Sequence, residues 1–143
     1  MRVFICALLL FSTQLLADVT AALKAEDGYI RQPMPGRTVT AGYFTLHNHS
    51  AQEARLTGAS SNAFARAELH NHTHKDGMMR MEQVEQIVIA SGDSIKLAPG
   101  GLHLMLFEPA TELEIGQTVT VLLHFADGQQ LTLALPVVAM PKR

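Results

Sequence analysis

Short alternating stretches, separated by turn residues, constrain this chain more than any other feature of its sequence. In QTVTVLLHFADGQQLTLALPVV (117–138), apolar residues occupy every second position on both sides of an Asp-Gly pair. A period of two places these apolar residues on one face of a β-hairpin, and Asp127-Gly128 suits its tight turn. Similar stretches at 38–48 and 94–109, the second of which contains a Pro-Gly-Gly turn, indicate further strands.

The predicted fold class is all-β. Helix signals amount to at most one or two turns between residues 60 and 65, so many short strands predict an antiparallel sandwich or small barrel. A length of 143 residues suits a single domain, and a hydrophobic content of 48% excludes a disordered chain. The formal net charge of −2 and the lack of a basic cluster give no sign of nucleic-acid binding.

The first residues form a separate segment. One Arg precedes an apolar run from Val3 to Phe11, and small and polar residues follow, which is the pattern of a secretory signal peptide. A buried helix or a membrane anchor is the alternative, but the run is short for a membrane span. We expect residues 1–17 to be removed, with cleavage as late as residue 22, leaving residues 23–140 as a domain without stable membrane insertion. Cys6 would be removed with the signal, so neither a disulfide nor a thiolate ligand is expected.

Nitrogen and thioether side chains are concentrated in HNHTHKDGMMRM (70–81). If Asp76 and Gly77 form the centre of a tight turn, the flanking residues pair across two strands, and diagonal neighbours also come within reach. In that register Met79 lies opposite His74, and Met81 lies opposite His72. The side chains that would share one face are His70, His72, His74, Met79 and Met81.

A second combination of the same kind occurs in GLHLMLF (101–107), where His103 and Met105 share one face of a strand. Taken alone, this segment is typical of a core strand in which Met fills space. Thioether, however, is a soft and neutral ligand that selects Cu(I) over Zn²⁺, and imidazole binds copper in both oxidation states. The combination therefore favours handling of reduced copper in an oxidising compartment, where a thiolate would be oxidised.

The full spacing, His-x10-Met-x21-His-x-Met, resembles that of the PCu(A)C family of periplasmic copper chaperones. Flanking segments agree in order over roughly residues 25–138: GYFTLHN (42–48), AELH (67–70), GMMRMEQVE (77–85) and LAPGGLHLML (97–106). The resemblance implies a cupredoxin-like Greek-key β-sandwich or barrel that holds one Cu(I) in the periplasm. The ligands that it implies are His70, Met81, His103 and Met105.

The resemblance also implies delivery of copper toward cytochrome c oxidase, either to an oxidase subunit or through another copper chaperone. We expect a monomer. His72 competes with His70 for the site, because the predicted hairpin places it directly opposite Met81. Candidate accessory residues are His72, His74 and Met79. His72 and His74 would recruit Cu(II) or help a bound copper change oxidation state; the alternative is that they are solvated side chains. The remaining imidazoles, which we expect to be structural or exposed, are His47, His49 and His124.

Several other functions use the same residues. A protein that sequesters copper for resistance would use the same ligands but would not deliver the ion to a partner. A blue-copper electron carrier needs a Cys thiolate, and a zinc enzyme built on the three His of 70–74 would need a carboxylate base such as Glu68 or Asp76. A structural or adhesive sandwich would bind no copper at all. No nucleophile with a paired base and no phosphate-binding loop is recognisable, so we expect no enzymatic activity.

Overall fold

The computed structural model describes residues 22–141, and the regular structure in that range is β. The segment predicted to be a signal peptide, residues 1–17, and Cys6 within it lie outside the described residues. None of the described residues belongs to a helix long and apolar enough to cross a membrane. The strands are β1 (Leu23–Arg31), β2 (Val39–Asn48), β3 (Ala54–Ser60), β4 (Phe64–Lys75), β5 (Met78–Gln83), β6 (Ile87–Ile89), β7 (Ser94–Leu97), β8 (Leu102–Pro109), β9 (Thr118–Phe125) and β10 (Gln130–Val138).

Seven of the strands close into a barrel in the order β4-β8-β2-β1-β10-β9-β3, and a pairing of Ala59 with Ala67 joins β3 back to β4. All these pairings are antiparallel except that of β1 with β10. The other strands lie alongside the ring: β5 pairs with β4, β6 with β3 and β7 with β2. The all-β prediction is confirmed.

The interior of the barrel is filled by every second side chain of its strands. On β8, Leu104 and Leu106 are fully buried, and Phe44 of β2 and Leu69 of β4 pack into the same core. Burying a side chain of this size stabilises a fold by roughly 1.5–3 kcal/mol, so the inward positions set which way each strand faces. The intervening residues, including His103 and Met105, therefore lie on the outer face.

Two predicted turns set the register of their hairpins. Asp76 and Gly77 both have positive φ, 53° and 73°, as a two-residue type I′ turn requires. The register that follows places His72 opposite Met81 and His74 opposite Met79, as predicted. In the β9–β10 hairpin Gly128 has a φ of 86°, and the predicted pairing of its apolar face is also confirmed.

The sequence predicts at most one or two helical turns between residues 60 and 65. The connection between β3 and β4 is shorter than that. It is a single turn, closed by the amide of Phe64 donating to the carbonyl of Ser61, 3.3 Å away. Phe64 is buried in the core and begins β4. The strand begins at Phe64 because its side chain packs into the core.

Candidate metal centre

The candidate ligands lie on the outer face of the barrel where β4 and β8 run side by side. His70 lies directly opposite His103, and two residues further along Glu68 lies opposite Met105. Residues directly opposite in an antiparallel pair share a face and have Cβ atoms about 4.5–5.5 Å apart. This pairing joins two sequence segments more than thirty residues apart. It brings His70, from the first half of the His-Met motif, beside His103, from the second half.

Three imidazoles converge at this point. The ring centroid of His103 is 5.9 Å from that of His70 and 4.9 Å from that of His72. Tyr43 of β2 covers the other side of His103, with ring centroids 6.5 Å apart. His103 is consequently only 2% exposed although it lies on the outer face. The structure thus brings His72 into the cluster beside His70, as the hairpin register predicted.

Hydrogen bonds determine which ring nitrogens are free. Nδ1 of His103 donates to the carbonyl of Gly101 at 3.0 Å, which leaves Nε2 with its lone pair. Nε2 of His70 donates to the Glu68 carboxylate at 2.8 Å, which leaves Nδ1. Among the described residues, Nδ1 of His70 and Nδ1 of His72 are buried without a hydrogen-bond partner. A buried imidazole nitrogen left unpaired while the opposite nitrogen is anchored is the arrangement of a metal ligand.

The electrostatics favour a neutral imidazole at His103 and an ionised carboxylate at Glu68. Burial lowers the pKa of His103 below its ordinary value. The hydrogen bond from His70 lowers the pKa of Glu68, and the guanidinium of Arg66, whose Nε donates to Glu68 at 2.7 Å, acts in the same direction. A neutral imidazole is the ligating form, so the lowered pKa of His103 favours metal binding.

The contact of Glu68 with His70 was missed by sequence reasoning, which considered Glu68 only as a base for a zinc enzyme. The signal was present in AELH (67–70), because residues two apart on a strand share a face. Metal-ligating imidazoles commonly donate their second N–H to a carboxylate, which fixes the tautomer and the ring orientation.

The two thioethers lie at different depths. Met105 is half-buried, with Glu68 of β4 on one side and Ala41 of β2 on the other. Met81 is 47% exposed on β5, directly opposite His72 and diagonal to His70. One side of the candidate site is therefore formed by buried groups and the other by an exposed and flexible side chain.

The remaining His and Met candidates lie outside this cluster. His74 and Met79 pair near the tip of the hairpin, where both are exposed. His47 contacts Ser94 at 2.6 Å and Glu26 at 3.1 Å, and His49 stacks on it. His124 contacts Ser60 at 2.8 Å. Within residues 22–141, no three His, Asp or Glu side chains are arranged to hold a metal ion by themselves.

Comparisons with known proteins place the chain in a family. The family model described as "Putative lipoprotein LpqE-like" matches residues 23–137. "Putative lipoprotein Lxx21020" of Leifsonia xyli subsp. xyli is 35% identical over 103 residues, which cover 71% of this chain and 62% of that protein. "Uncharacterized protein RP573" of Rickettsia prowazekii is 29% identical over 92 residues, which cover 64% and 51%. The chain thus matches between half and two-thirds of the length of these relatives.

Solved structures share the fold. The solution structure of Cu(I)-DR1885 from Deinococcus radiodurans has a TM-score of 0.64 and 33% identity, covering 78% of this chain and 74% of that one. The copper-bound PCuAC domain from PmoF2 has a TM-score of 0.69 and 23% identity, covering 83% and 94%. The chain belongs to the LpqE-like family, and its predicted resemblance to the PCu(A)C proteins is confirmed by the cupredoxin-like fold that they share.

Proposed function

We propose that this protein is a Cu(I) metallochaperone that holds one Cu(I) with His70, Met81, His103 and Met105. The observation that carries the proposal is the pair of anchored imidazoles, His70 and His103, on the same outer face as two methionines. Each imidazole is held by a hydrogen bond through one nitrogen, which leaves the other for a metal. The 33% identity with a protein solved in its Cu(I) form supports copper as the ion.

The ligand set suits an ion that has to be passed on. Two imidazoles and two thioethers are all neutral, so Cu(I) keeps its single positive charge, and thioether selects this soft ion over Zn²⁺. Met81 is 47% exposed, whereas His103 is buried. Met81 is therefore the ligand that leaves first, and a partner that offers Cys thiolates takes the ion by ligand exchange.

The sequence pattern and the names of the relatives support the compartment, and the resemblance to the PCu(A)C family supports the recipient. The signal-like segment at residues 1–17 and the naming of relatives as lipoproteins support export, and we place the protein in the periplasm. We propose delivery toward cytochrome c oxidase assembly, to an oxidase subunit or to another copper chaperone. In this role the protein carries copper and catalyses no reaction.

X-ray absorption on the anaerobically Cu(I)-loaded protein tests the ligand set directly. We expect two sulfur and two nitrogen neighbours around the copper. Nitrogen neighbours alone would move the site to His70, His72 and His74 and remove the basis of the proposal. A protein that prefers Zn²⁺ in direct competition with Cu(I) would contradict it as well.

Matched substitutions decide between His70 and His72. His70→Ala should remove one nitrogen neighbour and weaken Cu(I) binding by more than the roughly 10–100-fold typical when only a ligand's hydrogen-bond partner is lost. His72→Ala should bind Cu(I) nearly as the parent does, and His124→Ala, which lies on another part of the barrel, is the control. The opposite ranking would assign the fourth ligand to His72.

The accessory role of His72 and His74 in Cu(II) recruitment has a separate test. Replacing both by Ala should weaken Cu(II) binding and leave the Cu(I) neighbours unchanged, because neither belongs to the proposed four-ligand set. Unchanged Cu(II) binding in that variant would show that His72 and His74 are solvated side chains with no role in Cu(II) recruitment.

A further inference from the structure

Three methionines that are far apart in the sequence meet at one cavity beside the candidate metal centre. Met34 lies in the connection between β1 and β2, Met105 lies on β8, and Met140 follows β10. All three line a cavity of about 240 Å³ next to Ala41 and Val39. Met105 is therefore common to this cavity and to the proposed four-ligand set.

The exposure of these side chains argues against simple core filling. Met34 is 51% exposed and Met140 is 41% exposed, whereas Met105 is half-buried. A methionine that only fills space gains from burial, and two of these three are open to solvent. The cavity therefore leads from the candidate metal centre, at Met105, to the surface of the molecule.

The lining favours a soft ion over a hard one. Three thioethers offer neutral sulfur, which suits Cu(I) and binds Zn²⁺, Mg²⁺ or Ca²⁺ poorly. Among the described residues that line the cavity, none is acidic, and Arg31 and Arg37 form part of its wall. The guanidinium of Arg31 is held 5.0 Å from the ring centre of Tyr43. Two nearby positive charges oppose any cation, so an ion held here should bind more weakly than at the imidazoles.

We propose that Met34, Met105 and Met140 form a second, weaker Cu(I) site through which the ion leaves the protein. The inference rests on the proposed function, because it starts from Cu(I) bound at His70, Met81, His103 and Met105. In the transfer, the bonds from copper to the two imidazole nitrogens and to the Met81 sulfur break, and bonds to the sulfurs of Met34 and Met140 form. Copper stays Cu(I), Met105 remains bound throughout, and neither an electron nor a proton has to move.

Methyl signals of the methionines test this directly. The protein is labelled with ¹³C at the Met methyl groups and titrated anaerobically with Cu(I). The first equivalent should shift the signals of Met81 and Met105. The second finds Met105 already bound, so it should bind more weakly through Met34 and Met140 and shift their signals. Met78, which is 59% exposed and lies on the opposite face of β5 from Met81, is the internal control and should not move.

The variant Met34→Leu/Met140→Leu should still bind the first equivalent of Cu(I) and should lose binding of the second, because Leu preserves apolar volume and removes sulfur. Unmoved Met34 and Met140 signals at two equivalents would overturn the second site while leaving the proposed function intact. A first equivalent that shifts Met34 and Met140 instead of Met81 would overturn the proposed order of sites. A first equivalent that moves no Met signal would contradict the proposed function itself.

Discussion

At the residue scale, a small number of polar side chains define both the fold and the candidate site. Asn48, at the end of β2, is fully buried, and its amide nitrogen donates to the carbonyls of Gln52 and Ile89 at 2.8 and 3.0 Å. Its Oδ1 accepts from the amide and the hydroxyl of Ser50. One side chain thus joins the end of β2 to the loop that follows it and to β6.

We expect Asn48→Ala to lower the free energy of unfolding by roughly 2–4 kcal/mol, because it leaves buried carbonyl groups and an amide without partners. Urea denaturation of the apoprotein measures this change. Asn62→Ala, in the exposed turn between β3 and β4, is the matched control and should change little. An equal loss in both variants would mean that Asn48 acts through something other than these hydrogen bonds.

Glu68 is the polar side chain that positions a candidate ligand. It accepts from Nε2 of His70 and so holds Nδ1 as the free nitrogen. Glu68→Gln replaces the ionised acceptor by a neutral amide. It should weaken Cu(I) binding by about 10–100-fold, the usual cost of mutating such a partner, with the same number of nitrogen and sulfur neighbours around the ion.

A competition assay against a Cu(I) chelator measures the effect of Glu68→Gln. Glu82→Gln is the control, because Glu82 is exposed on the opposite face of the same hairpin. Equal affinities of the Glu68 variant and the parent would show that the carboxylate does not orient the imidazole.

At the element scale, the β4–β5 hairpin is the part of the site that is least supported by neighbouring strands. Every residue of β5 is exposed, and within the part of the chain that the structure describes the strand pairs only with β4. Its register depends on the turn at Asp76 and Gly77, where both φ angles are positive. The position of Met81 relative to His70 therefore depends on two residues at the far end of the hairpin.

Gly77 offers a test of this dependence with little steric complication. A Cβ added there would meet nothing within 4 Å, so any effect of substitution comes from the positive φ alone. Gly77→Val should destabilise the turn by about 1–2 kcal/mol and weaken Cu(I) binding, with little change in the stability of the barrel.

Gly77→Asn is the matched control, since Asn tolerates the left-handed region. Cu(I) competition and thermal unfolding, measured on both variants, separate the local effect from a global one. Parent-like Cu(I) binding in the Val variant would show that the hairpin register does not position a ligand.

At the scale of the whole molecule, the barrel supplies a stiff outer face on which the candidate ligands are arranged. β4, β8 and β2 are anchored by inward residues such as Leu69, Leu104 and Phe44, so their outward residues are held at fixed spacing. His103 is buried on this face, and its burial opposes protonation of its imidazole and lowers its pKa.

The lowered pKa of His103 makes apoprotein stability depend on pH. Below about pH 6.5 the unfolded chain takes up a proton at this His, whereas the folded protein resists it. Acidification therefore favours unfolding, by at most about 1.4 kcal/mol per pH unit from this one group, and above that pH the group makes no contribution.

Denaturation midpoints between pH 7.5 and 5.5 measure this slope. His103→Gln, which cannot titrate at this position, should give a flatter profile than the parent. Identical slopes in the two proteins would contradict a role for the burial of His103.

The sequence by itself determined what depends on near neighbours along the chain. Alternation decided which side chains face inward, and the Asp-Gly pairs set the β4–β5 and β9–β10 registers, because turn geometry and a period of two act over a few residues. The sequence also showed the imidazole and thioether donors and the spacing between them. Only the tertiary structure decided that β4 lies beside β8, which brings His70 to His103, and that Met34, Met105 and Met140 share a cavity. Many strand orders would bury the same apolar faces, and closure of the barrel selects one of them through contacts between distant segments.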